Sequence, residues 1–267
     1  MSVYKNDNPD HLKIALESIY DYQTRKPNEI VVVFDGPLND ELYTVLYDFR
    51  KGREEIVKYY PQDKNRGLGE ALRIGSELCS GDYIFRMDSD DISDKERFAK
   101  QIAYLEAYPD IDCLGGDIAE FDEDPFKENI RLRVCPSSHV EIVRMAKMRN
   151  PMNHVTVCIK KSALFKAKGY QTLLLLEDYL LWLNMIIAGC KLANINETMV
   201  YVRVGNGFDN KRGSRERISG WTKLQDIMLE SGMINHWRAM MNKLYIRAFV
   251  LTPPCVKKKL YSLFLRK

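Results

Sequence analysis

Short apolar runs and amphipathic segments alternate from Ser2 to Tyr108, and this alternation limits the possible folds more than any other feature of the sequence. The run 29–34 is continuous and rich in β-branched residues, which is typical of a strand buried on both faces of a parallel sheet. Segments with apolar residues at helical spacing lie on either side of it. We therefore predict an α/β domain with a mostly parallel, Rossmann-like sheet and helices on both faces. The predicted strands cover 2–4, 29–34, 55–60 and 82–87, and the predicted helices cover 11–22, 41–50, 67–79 and 93–108.

The pattern beyond residue 108 is less regular. The helix at 93–108 is expected to begin with the capping box Ser93-x-x-Glu96. Further strands are predicted at 111–121, 155–159 and 198–204, further helices at 139–147 and 176–188, and loops at 122–133 and 205–213. The apolar run 173–188 contains Glu177, Asp178 and Asn184, so we expect it to be buried in the protein rather than to cross a membrane.

Polar residues follow three of the predicted strands. They are the segments Tyr4-Lys5-Asn6-Asp7, Asp35-Gly36 and Asp88-Ser89-Asp90-Asp91. In open α/β sheets, ligands bind beyond the carboxyl ends of the strands, so these segments are expected to converge on one site. Three carboxylates within four residues repel one another, and a hard divalent cation that also bridges a phosphate would relieve this repulsion. The alternative for the acidic segment is a solvated turn, and the alternative for Asp35 is a simple turn residue.

A second acidic group, Glu177-Asp178, flanks an apolar helix. One interpretation is that the helix dipole stabilises two charges in the first turn, by about 0.3–1 kcal/mol. The other is a general base in a partly dry pocket. The segment from Asn65 to Gly75 opens a helix and begins like a dinucleotide fingerprint, but Leu72 stands where the third glycine or alanine should be, and the Gly-Lys-Ser/Thr of a phosphate loop is absent. Alone it is a weak phosphate motif, and a plain helix start is the alternative. His154 fits either a structural residue or a ligand, and Trp182 fits either the core or a substrate wall.

Composition and charge exclude several classes of protein. The net charge of +3 gives no basis for nucleic-acid binding, and no partner of that class is expected. The six cysteines are scattered without a C-x-x-C pair, which suits reduced thiols in a cytosol rather than a zinc site. The polar residues after Met1 do not indicate a signal peptide.

Residues 231–267 contain eight Lys or Arg and no Asp or Glu, interspersed with apolar residues, as in helices that lie on anionic membranes. The alternative is that this tail packs on the domain.

Taken together, these motifs resemble family 2 glycosyltransferases of the GT-A fold, from Ser2 to about Gly213. The shared features are Ser2-Val3-Tyr4, Val33-Phe34-Asp35-Gly36-Pro37, Asn65-x-Gly67, Arg86-Met87-Asp88-Ser89-Asp90-Asp91 and Glu177-Asp178. Bacterial O-antigen and exopolysaccharide transferases are the most similar members. Those also share Gly67-Leu68-Gly69, Arg97-Phe98-x-Lys100-Gln101, Asn150-Pro151-x-Asn153-His154, Glu177-Asp178-Tyr179-x-Leu181-Trp182 and Asn210-Lys211-Arg212. The chain departs from the family at Phe34, where a second acid is common, and at Leu72-Arg73, where many members have Arg-Asn. The first strand of the family normally begins several residues earlier, so Met1 falls within it.

The resemblance implies an inverting transfer of a hexose, glucose or galactose, from a UDP-sugar. It implies that Mn²⁺ or Mg²⁺ binds mainly to Asp90, with Asp88, and that Asp178 is the general base with Glu177 as the alternative. The residues implied on the donor side are Val3, Tyr4, Asp35, Asn65, Gly67, Asp88, Ser89, Lys211 and Arg212. Those implied as supporting or acceptor-side residues are Asp91, Asp117, His154 and Trp182.

The resemblance also implies an acceptor sugar carried on undecaprenyl pyrophosphate, used in O-antigen, capsule or exopolysaccharide synthesis. This would place a catalytic domain, residues 1–213, in the bacterial cytoplasm, with the tail, residues 214–267, on the cytoplasmic face of the inner membrane. A metal-dependent nucleotidyltransferase is one alternative, but it predicts a Gly-rich basic loop after the first strand, where Lys5-Asn6-Asp7-Asn8-Pro9 stands. A non-catalytic nucleotide-sugar-binding module is the other, and the presence of both acidic groups argues against it.

Overall fold

The first part of the chain contains a parallel sheet of three short strands. The structure is a computed structural model, and it describes residues 1–126, 130–173, 175–204 and 216–251. These strands are β1 (Ser2–Val3), β2 (Ile30–Phe34) and β3 (Val57–Pro61), in the order β1-β2-β3. The helices α1 (Pro9–Ile19), α2 (Asp40–Arg50) and α3 (Leu68–Leu78) surround the sheet.

The side chains of β2 alternate between two hydrophobic layers. Val32 and Phe34 pack with residues of α1 and α2, whereas Val31 and Val33 pack with Ala71 of α3. The continuous apolar run is therefore buried on both faces, as a central parallel strand requires. The predicted α/β fold with helices on both sides of the sheet is confirmed.

A second sheet is mixed and holds the remaining strands. Its members are β4 (Tyr83–Phe85), β5 (Ile92–Ser93), β6 (Cys113–Phe121), β7 (Arg131–Arg133), β8 (Cys158–Lys160) and β9 (Leu192–Arg203). Strand β6 runs parallel to β9 and antiparallel to β7 and β8. Strand β4 pairs antiparallel with β8, so it does not extend the first sheet as the simple alternation predicted. The apolar pattern identifies a buried strand but carries no information about its partner.

Several local predictions need correction. Strand β7 lies within the predicted loop 122–133, and β9 begins six residues before the predicted strand 198–204. The capping box at Ser93 is wrong, because Ser93 lies in β5 and its N–H donates to Ser18 Oγ at 3.0 Å. Helix α4 (Arg97–Ala107) begins instead after Glu96, without a side-chain cap. The strand predicted at 155–159 is a 3₁₀ turn followed by β8. The short helix α6 (Lys161–Lys166) was not predicted, whereas α5 (His139–Ala146) and α7 (Glu177–Ile187) agree closely with expectation.

Two C-terminal helices, α8 (Glu216–Glu230) and α9 (His236–Leu251), pack against α7. Leu224 and Met228 of α8 are fully buried in one cluster with Leu180 and Leu183 of α7. The described part of the tail thus shares a core with the α/β domain. Residues 252–267 and the predicted boundary at 213 lie outside the described residues. Within the described ranges, no helix combines the length and the apolar composition needed to cross a membrane.

Candidate active site

The three carboxylates that follow β4 form one cluster. Ligand oxygens of Asp88, Asp90 and Asp91 all lie within 4.8 Å of one another. Asp88 forms a two-point ion pair with Arg86, and Asp91 is buried, with its Oδ1 accepting the backbone N–H of Arg203 at 2.9 Å. Asp90 is the exposed member of the cluster and therefore the one most open to a ligand.

The charge of this cluster is only partly compensated by the protein. Desolvation and the neighbouring carboxylates of Asp88 and Asp7 raise the pKa of Asp90 to about 6. Burial, together with Asp88 and Asp90, raises the pKa of Asp91 well above its usual range. Three carboxylates at this spacing offer hard oxygen ligands, which is the donor set that Mg²⁺ and Mn²⁺ prefer. The residues present therefore fit a divalent cation.

Asp7, which follows β1, joins this cluster from the other sheet. Its Oδ2 accepts the hydroxyl of Ser89 at 2.8 Å and the backbone N–H of Tyr4 at 3.1 Å. The sequence places Asp7 at a strand end but gives it no role. Its contact with Ser89 is the physical link between the ends of β1 and β4.

The backbone before the cluster is held by Arg97, which is fully buried. Its Nη2 donates to the carbonyl of Arg86 at 2.9 Å, and its Nε donates to Gln101 Oε1 at 3.0 Å. Gln101 in turn donates to the carbonyls of Leu114 and Thr156, each at 2.9 Å. Arg97 and Gln101 of the shared Arg-Phe-x-Lys-Gln motif therefore form buried hydrogen bonds that fix where the acidic segment leaves β4.

Asp35 directly follows β2 and connects the start of α3 to the end of β1. Its two carboxylate oxygens accept the backbone N–H groups of Arg66, at 2.7 Å, and Gly67, at 3.0 Å. Its own N–H donates to the carbonyl of Val3 at 2.8 Å. Gly36 has φ +89° and no room for a side chain, since a Cβ would meet the backbone nitrogen of Asn65 at 2.6 Å.

The other residues predicted on the donor side are placed as follows. Val3 is fully buried, and Tyr4 and Asn65 are exposed near the ends of β1 and β3. Lys211 and Arg212 lie outside the described residues.

The second acidic group lies at the first turn of α7. Asp178 Oδ2 accepts from Asn150 Nδ2 at 2.5 Å, and Oδ1 accepts the backbone N–H of Tyr179 at 2.7 Å. Burial raises the pKa of Asp178, and these hydrogen bonds and the cations Arg133 and Arg86 oppose the shift. Arg86 therefore acts electrostatically on both acidic groups, because it also pairs with Asp88.

Glu177 packs against the first turn of α3, which lies on the donor side of the site. A Cβ at Gly69 of α3 would lie 2.9 Å from Glu177 Cγ, so only glycine leaves room for this contact. Burial and the adjacent Asp178 raise the pKa of Glu177. The first turns of α3 and α7 thus meet, which brings the two predicted halves of the site together.

His154 and Tyr170 form a hydrogen-bonded pair. His154 Nε2 is 2.9 Å from the hydroxyl of Tyr170, and burial with nearby Arg86 lowers the pKa of His154 well below its usual range. Burial raises the pKa of Tyr170, and the carboxylates of Asp178 and Asp88 add to this effect. The sequence pattern does not single out Tyr170. Trp182 is fully buried and contacts His154 at 5.9 Å between ring centroids, which fits the core interpretation of this residue rather than an exposed wall.

Asp117 lies at an irregularity in β6, where the register with β9 shifts on both sides of it. Its Oδ1 accepts the backbone N–H of Cys135 at 2.9 Å, and burial raises its pKa. In this position Asp117 supports the chain that leaves β7.

The arrangement combines an acidic cluster suited to a cation with a buried carboxylate that can accept a proton. The first can neutralise charge on a leaving diphosphate. The second can activate a hydroxyl nucleophile.

Comparison with known proteins gives consistent results. The family model described as Glycosyl transferase family 2 matches residues 1–174. The chain is 38% identical, over 86% of its length and 84% of the relative, to the amylovoran biosynthesis glycosyltransferase AmsE of Erwinia amylovora. It is 31% identical, over 100% of its length and 95% of the relative, to the UDP-Gal:alpha-D-GlcNAc-diphosphoundecaprenol beta-1,3-galactosyltransferase of Escherichia coli.

A solved structure with a similar fold is that of GalNAc-T7 with UDP, GalNAc and Mn²⁺. The TM-score is 0.67 at 18% identity, covering 96% of this chain and 53% of that one. The predicted GT-A fold is confirmed by such neighbours.

Proposed function

The chain belongs to glycosyl transferase family 2, and we propose that it transfers a hexose from a UDP-sugar to a sugar carried on a lipid diphosphate, with inversion at the anomeric carbon. The observation that carries this proposal is that Arg86 pairs with Asp88 of one acidic group and also opposes the rise in the pKa of Asp178 in the other. The galactosyltransferase relative, whose acceptor is a diphosphoundecaprenol-linked sugar, supports the choice of acceptor. The relatives named above are glycosyltransferases, so they give no support to the nucleotidyltransferase alternative or to a non-catalytic binding module.

Asp90 and Asp88 are the residues proposed to hold Mn²⁺ or Mg²⁺, and Asp91 supports them from its buried position. A bound cation would neutralise the charge that develops on the departing UDP. The presence of UDP and Mn²⁺ in the GalNAc-T7 structure supports this choice of donor and metal. Asp88 is also paired with Arg86, which leaves Asp90 as the principal ligand.

Asp178 is the proposed general base. The acceptor hydroxyl loses its proton to Asp178 while its oxygen forms a bond to the anomeric carbon. The bond from that carbon to the donor phosphate breaks on the opposite face, and UDP leaves with the electron pair. Asn150 holds the carboxylate in place, and Arg133 and Arg86 help to keep it ionised.

The exposed face of α9 supports a membrane-surface role for the C-terminal helices. Its exposed large side chains are Trp237, Met240, Met241, Leu244 and Tyr245. At 100° per residue they fall within an arc of about 140°, opposite the face that packs through Ala239 and Asn242. Arg238 and Arg247 fall at the two edges of this arc, which we call the outer face of α9. An apolar stripe with cations at its edges suits a lipid surface that carries anionic headgroups.

Transfer to a defined acceptor tests the function. Purified protein with Mn²⁺ is offered UDP-glucose, UDP-galactose or their N-acetylated counterparts, together with N-acetylglucosamine linked through diphosphate to a lipid. We expect transfer from UDP-glucose or UDP-galactose. Asp178→Asn is expected to bind UDP within about twofold of the wild-type affinity and to lose transfer by about a hundredfold or more. Normal turnover by Asp178→Asn would place the base elsewhere, and absence of transfer from every UDP-sugar would contradict the proposed reaction.

A further inference from the structure

We infer that Arg133, together with Arg149, forms the subsite for the diphosphate of the acceptor. This inference rests on the proposed function, because it assigns one part of the proposed acceptor to particular residues. The donor diphosphate is proposed to bind at the acidic cluster, through the cation that this cluster would hold. A second diphosphate, on the acceptor, needs cations of its own on the side of Asp178.

The backbone ties Arg133 to the loop that holds the proposed base. Arg133 ends β7, and its carbonyl accepts from Asn153 Nδ2 at 3.4 Å. Three residues earlier in the same loop, Asn150 donates to Asp178 at 2.5 Å. The loop therefore fixes Arg133 relative to Asp178. The effect of Arg133 on the pKa of Asp178 is consistent with this closeness.

The two guanidinium groups have no anionic partner in the described part of the chain. Among the described residues, neither Arg133 nor Arg149 forms an ion pair, whereas Arg131 on the same strand pairs with Asp122 at 3.3 Å. Both Arg133 and Arg149 act on the buried thiol of Cys135, and both oppose the effect of burial, which raises its pKa to about 11. Arg149 is exposed and directly precedes Asn150, so both arginines lie on or beside the loop that holds Asp178. Unpaired guanidinium groups in such an arrangement match the oxygens of a diphosphate.

The position of α9 agrees with the path that the acceptor lipid is expected to take away from the diphosphate subsite. Asn242 of α9 donates to the carbonyl of Lys147 at 2.9 Å, two residues before Arg149. Met148, between them, is 60% exposed. A diphosphate at Arg149 would therefore lie beside the helix whose outer face is proposed to contact lipid. A sugar linked to it would extend toward Asp178.

A simpler role for Arg133 would be to keep Asp178 ionised. In that case Arg133→Gln would raise the pKa of Asp178 and shift the acidic limb of the transfer rate to higher pH, without changing the affinity for a diphosphate. Binding and rate measurements therefore separate the two roles.

The test is a titration with decyl diphosphate in the presence of saturating UDP and Mg²⁺, so that the donor site is already filled. Decyl glucoside, which has the same chain and no charge, is the comparison ligand. We expect the wild type to bind the diphosphate and not the glucoside. Arg133→Gln and Arg149→Gln should each weaken diphosphate binding by about tenfold or more. The matched control, Arg131→Gln, should remain within about twofold of the wild type.

The affinity for UDP is measured for each variant and should be unchanged, which also reports that the variants fold. The inference is overturned if UDP displaces the diphosphate from the wild type, if Arg133→Gln binds it normally, or if Arg133→Gln loses UDP to the same extent. This titration does not depend on turnover. A protein that binds the diphosphate at Arg133 but transfers no sugar would contradict the proposed function and leave this subsite standing.

Discussion

The acidic cluster holds the carboxylates of Asp90 and Asp91 in an arrangement that disfavours their charged forms when no cation is bound. The pKa of Asp90, about 6, lies above the value of about 3.9 for an unfolded aspartate. Between these values the folded state binds more protons than the unfolded state. The free energy of unfolding of the metal-free protein is therefore expected to decrease as the pH rises from about 4 to 7 through this group. A bound cation would offset this loss.

The first prediction is that Asp90→Asn raises the melting temperature of the metal-free protein at pH 7, by about 2 °C or more, because it removes one of three repelling charges. The same substitution should abolish the increase in melting temperature that Mn²⁺ produces in the wild type. Thermal melts with and without Mn²⁺ measure both effects. The control is Asp48→Asn, an exposed position in α2, which should change neither. A normal response of Asp90→Asn to Mn²⁺ would exclude Asp90 as a principal ligand.

Asn150 gives a second prediction at the scale of single residues. Its hydrogen bond stabilises the ionised form of Asp178 and lowers the pKa of that carboxyl. Asn150→Ala should therefore raise the pKa of Asp178 and shift the acidic limb of the kcat/KM profile upward by about one pH unit. Activity lost at neutral pH should return at higher pH. If the loss is the same at every pH, Asn150 acts in some way other than on the protonation of Asp178.

At the scale of elements, the contact between α3 and α7 aligns the donor and acceptor sides. It depends on Gly69, where a Cβ would lie 2.9 Å from Glu177 Cγ. We predict that Gly69→Ala displaces Glu177 and lowers kcat by about tenfold or more, because small displacements near reacting groups are costly. Gly75→Ala, in the same helix, is the matched control, since its Cβ would meet only Val33 Cγ2 at 3.2 Å. Equal kcat values for the two variants would show that this contact does not align the site.

The sequence predicts most elements of this fold because hydrophobic periodicity reflects which faces are buried. It does not predict that β4 pairs with β8, since a three-residue apolar strand fits either sheet. The candidate site, like the fold, is only partly predictable from the sequence. Local clusters such as Asp88, Asp90 and Asp91 are visible in the chain, but the link from Arg86 to Asp178 depends on segments far apart in sequence. Arg97 and Tyr170 gain their roles only through tertiary contacts, which no local pattern encodes.

At the scale of the whole molecule, the C-terminal helices contribute both to the core and to the outer surface. Met228 is fully buried against α7, whereas Trp237 is 66% exposed. Removing the tail would therefore uncover part of the core as well as remove a membrane contact. Deletion cannot separate these two effects, but point substitutions can.

We predict that Trp237→Ser combined with Leu244→Ser reduces binding to vesicles containing anionic lipid by about tenfold or more, with little change in the free energy of unfolding. Met228→Ala should do the opposite, lowering the free energy of unfolding by about 2–5 kcal/mol while the folded protein still binds vesicles. Vesicle sedimentation and denaturant titration measure the two quantities. Undiminished sedimentation of the doubly substituted protein would contradict lipid contact through the outer face of α9.

In the proposed reaction, one carboxylate deprotonates the acceptor while the leaving group departs on the opposite face. The anomeric configuration of the transferred hexose tests it most directly, through the proton coupling constant of the new glycosidic linkage. With a UDP-α-hexose as donor, a β-linked product is expected, formed by the wild type and not by Asp178→Asn. An α-linked product, or a β-linked product formed equally well by Asp178→Asn, would contradict the account.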